Sequence, residues 1–299
     1  MKILNWTHYD LDGIVSYINV KWAFEGHDVK LETTSPQEFR KDLTKWLEEN
    51  SLDDYDHVYI TDLDVADSYD LIDKSNVIVI DHHSSHVDNM PKYSNMNNIV
   101  RVETSCAKMM YQHFNKDLGI NYSAAQKKLI LLTDDYDQYA LKIPESLMLN
   151  TVFWSLNITT RFETFTKMFH DGFNGWSPQQ EAIIDVFNKE LKNLIKSLEI
   201  FEADITLQGK KRKVLSTFVN TKINEIAIHL LKDIGADIAI VVNLKSKHIS
   251  FRAHKEDESI DLSKIAAKLA GGGGHKTSAG GVITDDFMKF TKLFNKVSG

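Results

Sequence analysis

Val77-Ile78-Val79-Ile80-Asp81-His82-His83 decides the reading of this chain. A short apolar run that is β-branched throughout reads as a buried strand, and its carboxyl end delivers an acid and two imidazoles. Open α/β sheets keep their sites at that edge. Two further strand-like runs end the same way. Lys2-Ile3-Leu4-Asn5-Trp6 leads into Thr7-His8-Tyr9-Asp10-Leu11-Asp12-Gly13, and His57-Val58-Tyr59-Ile60-Thr61 leads into Asp62-Leu63-Asp64. Carboxylates gathered without a counter-ion repel one another, so acids beside neutral histidines at three strand ends point to divalent cations.

Around these runs the first third of the chain alternates strand-like and helix-like segments. Residues 12–25 carry Ile14, Val15, Ile18, Ala23 and Phe24 near helical spacing, and 29–33 alternate like a strand. Residues 36–49 form an amphipathic helix with Phe39, Leu43, Trp46 and Leu47 on one side, and 67–74 a short helix. Strands separated by helices imply right-handed crossovers and a mainly parallel sheet with helices on both faces, an α/β domain. From 104 to 173 the pattern turns helical, and Asp134, Asp135 and Asp137 fall at the end of one helix. Ser177-Pro178 opens a long amphipathic helix to about Phe201 that reads as a connector. Strands over 203–207, 213–218, 238–244 and 248–253, with a helix over 224–232, then make a second, smaller α/β domain that holds the Gly271–Gly274 run. The expected divisions are 1–176, 177–202 and 203–299.

Composition narrows the class. A chain of 299 residues, 42% hydrophobic and 26% charged, has the makings of two globular cores. A net charge of −7 argues against a broad basic face gripping long duplex nucleic acid, whose affinity comes from lysine and arginine on phosphates. The single cysteine, Cys106, reads as a small buried hydrophobe. No apolar run reaches the roughly 18–20 residues of a membrane span, so the expectation is a cytoplasmic protein without membrane contact.

His8-x-Asp10-x-Asp12-Gly13, Asp62 and Asp81-His82-His83 resemble, in order, the first three motifs of the DHH phosphoesterase family. Gly271-Gly272-Gly273-Gly274-His275-Lys276-Thr277-Ser278-Ala279-Gly280-Gly281 is similar to the glycine-rich signature of the DHH-associated substrate domain. The resemblance implies a metal-binding domain followed by a substrate-binding domain, and a cofactor of two divalent ions, manganese or else magnesium. His8 and Asp10 would hold one ion, Asp12 and His82 the other, and Asp62 would bridge them. A last aspartate would complete the set: Asp137, which the resemblance favours by an extended Gln138–Leu141 segment after it, or Asp134. His83 would contact the scissile phosphate or protonate the leaving oxygen, a role for an imidazole near neutrality. Gly272, Gly273, Gly274, His275 and Arg252 would bind the substrate's other end.

Other roles compete for the same residues. Asp12 stands where a helix N-cap belongs, Asp81 can orient an imidazole instead of touching metal, and Asp64, Asp67 and His86 read as solvent-facing or supporting groups. The expected function is a two-metal phosphodiesterase, an oligoribonuclease or exonuclease-like hydrolase that cuts short RNA or DNA oligonucleotides (nanoRNA) to mononucleotides. Cyclic dinucleotides and phosphoadenosine phosphate are alternative substrates, and a non-catalytic nucleotide-binding subunit is the alternative class. A homodimer is the oligomer common among relatives.

Overall fold

Two units divide the chain, Met1–Ile184 and Asp185–Gly299. The computed structural model describes residues 1–90, 94–207, 209–254, 257, 259–274 and 276–293, and the backbone of 295–298. The expected site residue His275 lies outside the described residues.

The first unit runs β1 (Lys2–His8), α1 (Leu11–Ala23), β2 (Asp28–Thr34), α2 (Phe39–Trp46), β3 (His57–Thr61), α3 (Tyr69–Ile72), β4 (Val77–Asp81), α4 (Ser84–Asp88) and β5 (Asn97–Val100). Four helices follow: α5 (Cys106–Asp117), α6 (Ala124–Asp137), α7 (Pro144–Ser155) and α8 (Arg161–Met168). The strands form one parallel sheet in the order β2-β1-β3-β4-β5. Successive side chains of a strand point to opposite faces, and both faces here are apolar. Leu4, Val58, Ile60, Val77 and Val79 meet Phe39 and Leu43 of α2 and Ile72 of α3. Ile3, Tyr59, Ile78 and Ile80 meet the other layer, with Ile14 and Ile18 of α1, Phe114 of α5 and Leu129 of α6. Burial on both sides is why β4 is apolar without interruption until Asp81.

Topology fixes where chemistry gathers. The chain leaves β1 for β2 on one side and returns to place β3 on the other, so the strand order reverses between β1 and β3. The crevice beyond the carboxyl ends at such a switch is where these sheets bind ligands. β1, β3 and β4 therefore end beside one another, on His8, Thr61 and Asp81.

The second unit contains most of α9 (Pro178–Lys196), which crosses the Ile184–Asp185 division and is capped by Ser177 and Gln180 exchanging side-chain bonds with each other's amides. Then come β6 (Ile200–Leu207), β7 (Lys210–Phe218), α10 (Ile223–Ile228), β8 (Ile238–Asn243), β9 (His248–Ala253), α11 (Leu262–Ala270), β10 (Gly273–Gly274), β11 (Ser278–Val282), α12 (Asp285–Phe290) and β12 (Asn295–Ser298). They build a second sheet, β10-β11-β9-β8-β7-β6-β12, antiparallel except for the β7–β8 pair. The α/β expectation holds for both units, with corrections. The helix expected over 36–49 forms only Phe39–Trp46, after a turn at Pro36, and the connector helix stops at Lys196, so that Ile200 and Phe201 belong to β6. Among the described residues no helix is long and apolar enough to cross a membrane.

Gly13, in the first turn of α1, marks the tightest approach between helix and strand end. A Cβ there would lie 2.0 Å from the His8 carbonyl oxygen and 2.9 Å from Thr7 Oγ1. Gly13→Ala is therefore expected to cost about 1–3 kcal/mol of stability, seen as a lower urea midpoint at unchanged slope. An unmoved midpoint would contradict this packing.

Candidate metal centre

Each strand end contributes through its own local structure. His8 closes β1, and Asp10 just beyond it is the N-cap of α1, accepting from Gly13 N at 3.0 Å. The capping role that the sequence offers to Asp12 thus belongs to Asp10. Asp12 is buried in the first turn, where its two carboxylate oxygens accept from the backbone amides of Cys106 (2.7 Å) and Ala107 (2.9 Å). Those amides open α5, whose unpaired N–H groups and dipole favour an anion. Cys106 is fully buried, as its sequence context implied, and its thiol donates to Ile80 O.

Asp62 follows β3 with φ of 57°, a left-handed conformation that aspartate tolerates better than most residues. Its amide donates to Ile80 O, which ties the turn to β4. The carboxylate is buried between two imidazoles, with Oδ1 at 3.2 Å from His82 Nε2 and Oδ2 at 3.7 Å from His8 Nδ1. His8 Nδ1 also lies 3.0 Å from Asp10 Oδ2. His82 is a hub: Nε2 lies 3.7 Å from Asp12 Oδ2, and Nδ1 lies 3.6 Å from Asp137 Oδ2. Asp81 makes no approach to this group; its oxygens bond His83 Nδ1 at 2.7 Å and His86 Nδ1 at 2.8 Å. It orients His83, with the fully buried His86 as its second partner.

The three acids at the end of α6 have three different employments. Asp134 turns to the start of α5, accepting from Thr104 Oγ1, Ser105 N and Lys108 Nζ. Asp135 accepts from Lys142 N, Ile143 N and Ser146 Oγ at the start of α7. Asp137 alone of the three faces His82. The segment after it is a turn instead of the extended stretch expected: Tyr139 and Leu141 have positive φ, and the amides of Ala140 and Leu141 bond Asp135 O. Gln138, which the sequence reading passed over, brings its amide to 3.4 Å from His82 Nδ1. Its place next to Asp137 was the available signal.

Among the described residues three sets of ligand atoms result, each mutually within 4.8 Å: His8, Asp10 and Asp62; Asp12, His82 and Asp137; and Asp62, His82 and His83. Asp62 is common to the first and third, His82 to the second and third. The electrostatics fit a cation. Burial raises the Asp12 carboxyl well above its usual range, and the charges of Asp137 and Asp62 add to it. Burial likewise lifts Asp137 to about 6, helped by Asp62 and Asp10 against the pull of His82. Burial would lower His8, but Asp10 and Asp62 push it up to about 11, and His82 is raised by Asp137 and Asp62 in the same way. Asp62 would be raised by burial, yet the neighbouring imidazoles of His8 and His82 hold it low. Asp62 Oδ2 is buried without a hydrogen-bond partner, an arrangement that is costly unless a cation completes it. Oxygen and imidazole donors without a thiolate suit manganese or magnesium.

In the second unit Arg252, on β9, donates from Nη1 to the carbonyls of Phe251 and Ala279 and from Nη2 to Asn224 Oδ1. Three bonds thus tie its fork to this unit's own framework. The glycine run follows α11, and a Cβ at Gly272 would fall 1.9 Å from the Gly280 carbonyl oxygen and one at Gly274 2.6 Å from that of Ser278. Close strand packing requires glycine at both positions, while a Cβ at Gly273 would meet nothing within 4 Å.

Comparison with known proteins places this geometry. The family model described as DHH family, N-terminal domain, matches residues 2–136, and that of the DHHA1 domain matches residues 209–298. No match is found among curated proteins. Among solved structures, the chain is similar to a pGpG-specific phosphodiesterase, PggH, from Vibrio cholerae, at 14% identity over 98% of this chain and 96% of that one, with a TM-score of 0.60. An exopolyphosphatase-related protein from Bacteroides fragilis gives 12% identity, 98% and 91% coverage and a TM-score of 0.57. An exonuclease RecJ bound to manganese gives 15% identity, 97% and 88% coverage and a TM-score of 0.51. At such identities the likeness is one of fold.

The raised groups set a pH dependence for the metal-free protein. Asp12, Asp137, His8 and His82 bind protons more tightly folded than unfolded, so their contribution to stability is complete below the unfolded pKa values and is lost as pH rises through the folded ones, for Asp137 through about 6. Asp62 and Asp81, both lowered, forfeit theirs only below about pH 4, outside that window. Chelator-treated protein should therefore lose Tm between about pH 5.5 and about pH 8, and manganese at a hundredfold excess over Kd should restore about 2.7 kcal/mol at the upper end. Apparent manganese affinity should rise across the same range as the ligands shed protons. An affinity flat with pH would contradict the assignment.

Proposed function

This chain belongs to the DHH family and carries a DHHA1 domain, and on that premise we propose that it is a two-metal-dependent phosphodiesterase that hydrolyses short oligonucleotides to mononucleotides. The observation that carries the reading is the Asp62 carboxylate, whose oxygens face separate imidazoles, His8 and His82, each belonging to a set of potential ligands. Two bound divalent ions, manganese or magnesium, would supply Lewis-acid charge for phosphoryl transfer to water.

The chain's own residues do the rest. His8, Asp10 and Asp62 would hold one ion, and Asp12, His82 and Asp137 the other. His82 is almost enclosed, its side chain 8% exposed, whereas that of His83 is 26% exposed and open to a substrate. Asp81 occupies His83 Nδ1, so Nε2 is the nitrogen left to serve the scissile phosphate or the leaving oxygen. Burial would lower the His83 pKa, but the Asp81 bond raises it, which favours the proton-donating form. A net charge of −7 suits a short ligand held locally, and the activities named for PggH and RecJ, on a dinucleotide and as an exonuclease, support the same class of substrate.

Manganese-dependent release of nitrophenol from a generic phosphodiester tests the chemistry. Asp62→Asn keeps a residue that accepts the left-handed turn, and is expected to lower the rate by more than about a hundredfold, the several kcal/mol a metal site contributes. A panel of dinucleotide, longer oligonucleotide, cyclic dinucleotide and phosphoadenosine phosphate then tests the substrate. The dinucleotide should be cleaved fastest; a faster cyclic substrate would replace this reading.

A further inference from the structure

Beside His83, within the first unit, lies a cavity of about 580 Å³. Gln37, Asp64, Asp67, Ser85 and Asn89 line it together with His83, and none of the described lining residues is a lysine or arginine. Asp64 Oδ2 is bonded by Ser85 Oγ at 2.6 Å and Oδ1 by Ala66 N at 3.1 Å, which fixes its carboxylate on the wall. Asp67 is exposed. Arg40 donates to the backbone carbonyl of Asp67, and its guanidinium is held by both oxygens of Asp70 at 2.6 and 2.9 Å, which oppose its charge. Among the described lining residues the wall thus carries two carboxylates and no cationic side chain of lysine or arginine.

The size is that of a small-ligand pocket. Its chemistry is selective: carboxylate, amide and hydroxyl groups exchange hydrogen bonds with ribose hydroxyls and base edges, while two carboxylates repel a phosphate. This is the reverse of the cationic wall that grips a phosphate chain. Because His83 borders both the cavity and the candidate metal centre, whatever fills the cavity is joined to the phosphate being cleaved.

We propose that this cavity receives the terminal nucleoside on one side of the scissile phosphate and selects for a terminus whose hydroxyl is free. The inference rests on the phosphodiesterase reading of the same centre. It makes the protein an enzyme for chain ends: an internal linkage, a cyclic dinucleotide or a doubly phosphorylated dinucleotide each presents a further phosphate on both sides of the one attacked, so one must enter the acidic wall.

The test uses the full chain with manganese and four dinucleotides of one sequence: both ends free, 5′-phosphorylated, 3′-phosphorylated, and phosphorylated at both ends. A nitrophenyl phosphodiester serves as the reference. The doubly phosphorylated substrate should be cleaved at least about tenfold less efficiently than the better of the singly phosphorylated pair. Asp67→Lys, a change at an exposed position, should bring that ratio, read within the variant on protein of wild-type Tm, close to one, and Asp67→Asn should move it part of the way. Equal rates on all four in wild type, or a ratio that Asp67→Lys and Asp67→Asn both leave unmoved, would overturn the proposal. A wild-type chain inert toward the nitrophenyl substrate would overturn the phosphodiesterase reading beneath it.

Discussion

A buried carboxylate that no hydrogen bond fully satisfies is the constraint on which this structure turns. Asp62 stands at the centre of the carboxyl edge of a parallel sheet, in a left-handed turn pinned to β4 by its amide. Strain and an incomplete bonding shell both cost stability, and both concentrate at functional positions. Parallel pairing of β1, β3 and β4 puts their ends side by side, so His8, Asp62 and His82 converge whatever the helices do. The convergence gives the sheet its chemistry, and the charge it gathers gives the cation its reason.

The helices make that charge tolerable. The first amides of α5 are taken up by side chains from two other places, Ser105 N by Asp134, and Cys106 N and Ala107 N by Asp12, while its own N-cap Ser105 Oγ bonds Lys108 N. A helix N-terminus stabilises carboxylates there by its dipole and its orphan donors. Asp12 is held in place without losing its approach to His82. Asp134, one helical turn before Asp137, spends its carboxylate on the same helix start and on Lys108. A single helix end thus separates an acid that anchors the fold from acids free to hold metal.

What could be read from the chain alone follows from this division. The strands of the first unit are legible because burial on both faces leaves only apolar residues before a polar end, as in Val77–Asp81. β5 gives no such signal: it is a short edge strand that starts Asn97-Asn98. The types of the site residues were also legible, since histidine and aspartate after a buried strand have few structural uses in such number. Which acid points where was not. Asp134 and Asp137 lie three residues apart on one helix, a spacing that puts both on neighbouring faces, and only the position of α5 distinguishes them. In the second unit, Arg252 and the glycines carried a phosphate-binding pattern, and the sequence did not show that Arg252 also bonds its own sheet or that Gly272 and Gly274 also meet a packing demand. Residue type reports chemistry, while partners at long sequence separation decide what else each residue must do.

The central claim is that Asp62 joins two neighbouring cation sites. Electron paramagnetic resonance of the manganese-loaded protein tests it most directly, because two ions bridged by one carboxylate couple magnetically. The account predicts two manganese ions per chain with a spin-coupled signal, replaced in Asp62→Asn by the signal of uncoupled manganese. A single ion per chain, or two ions that remain magnetically independent in the unaltered protein, would contradict it.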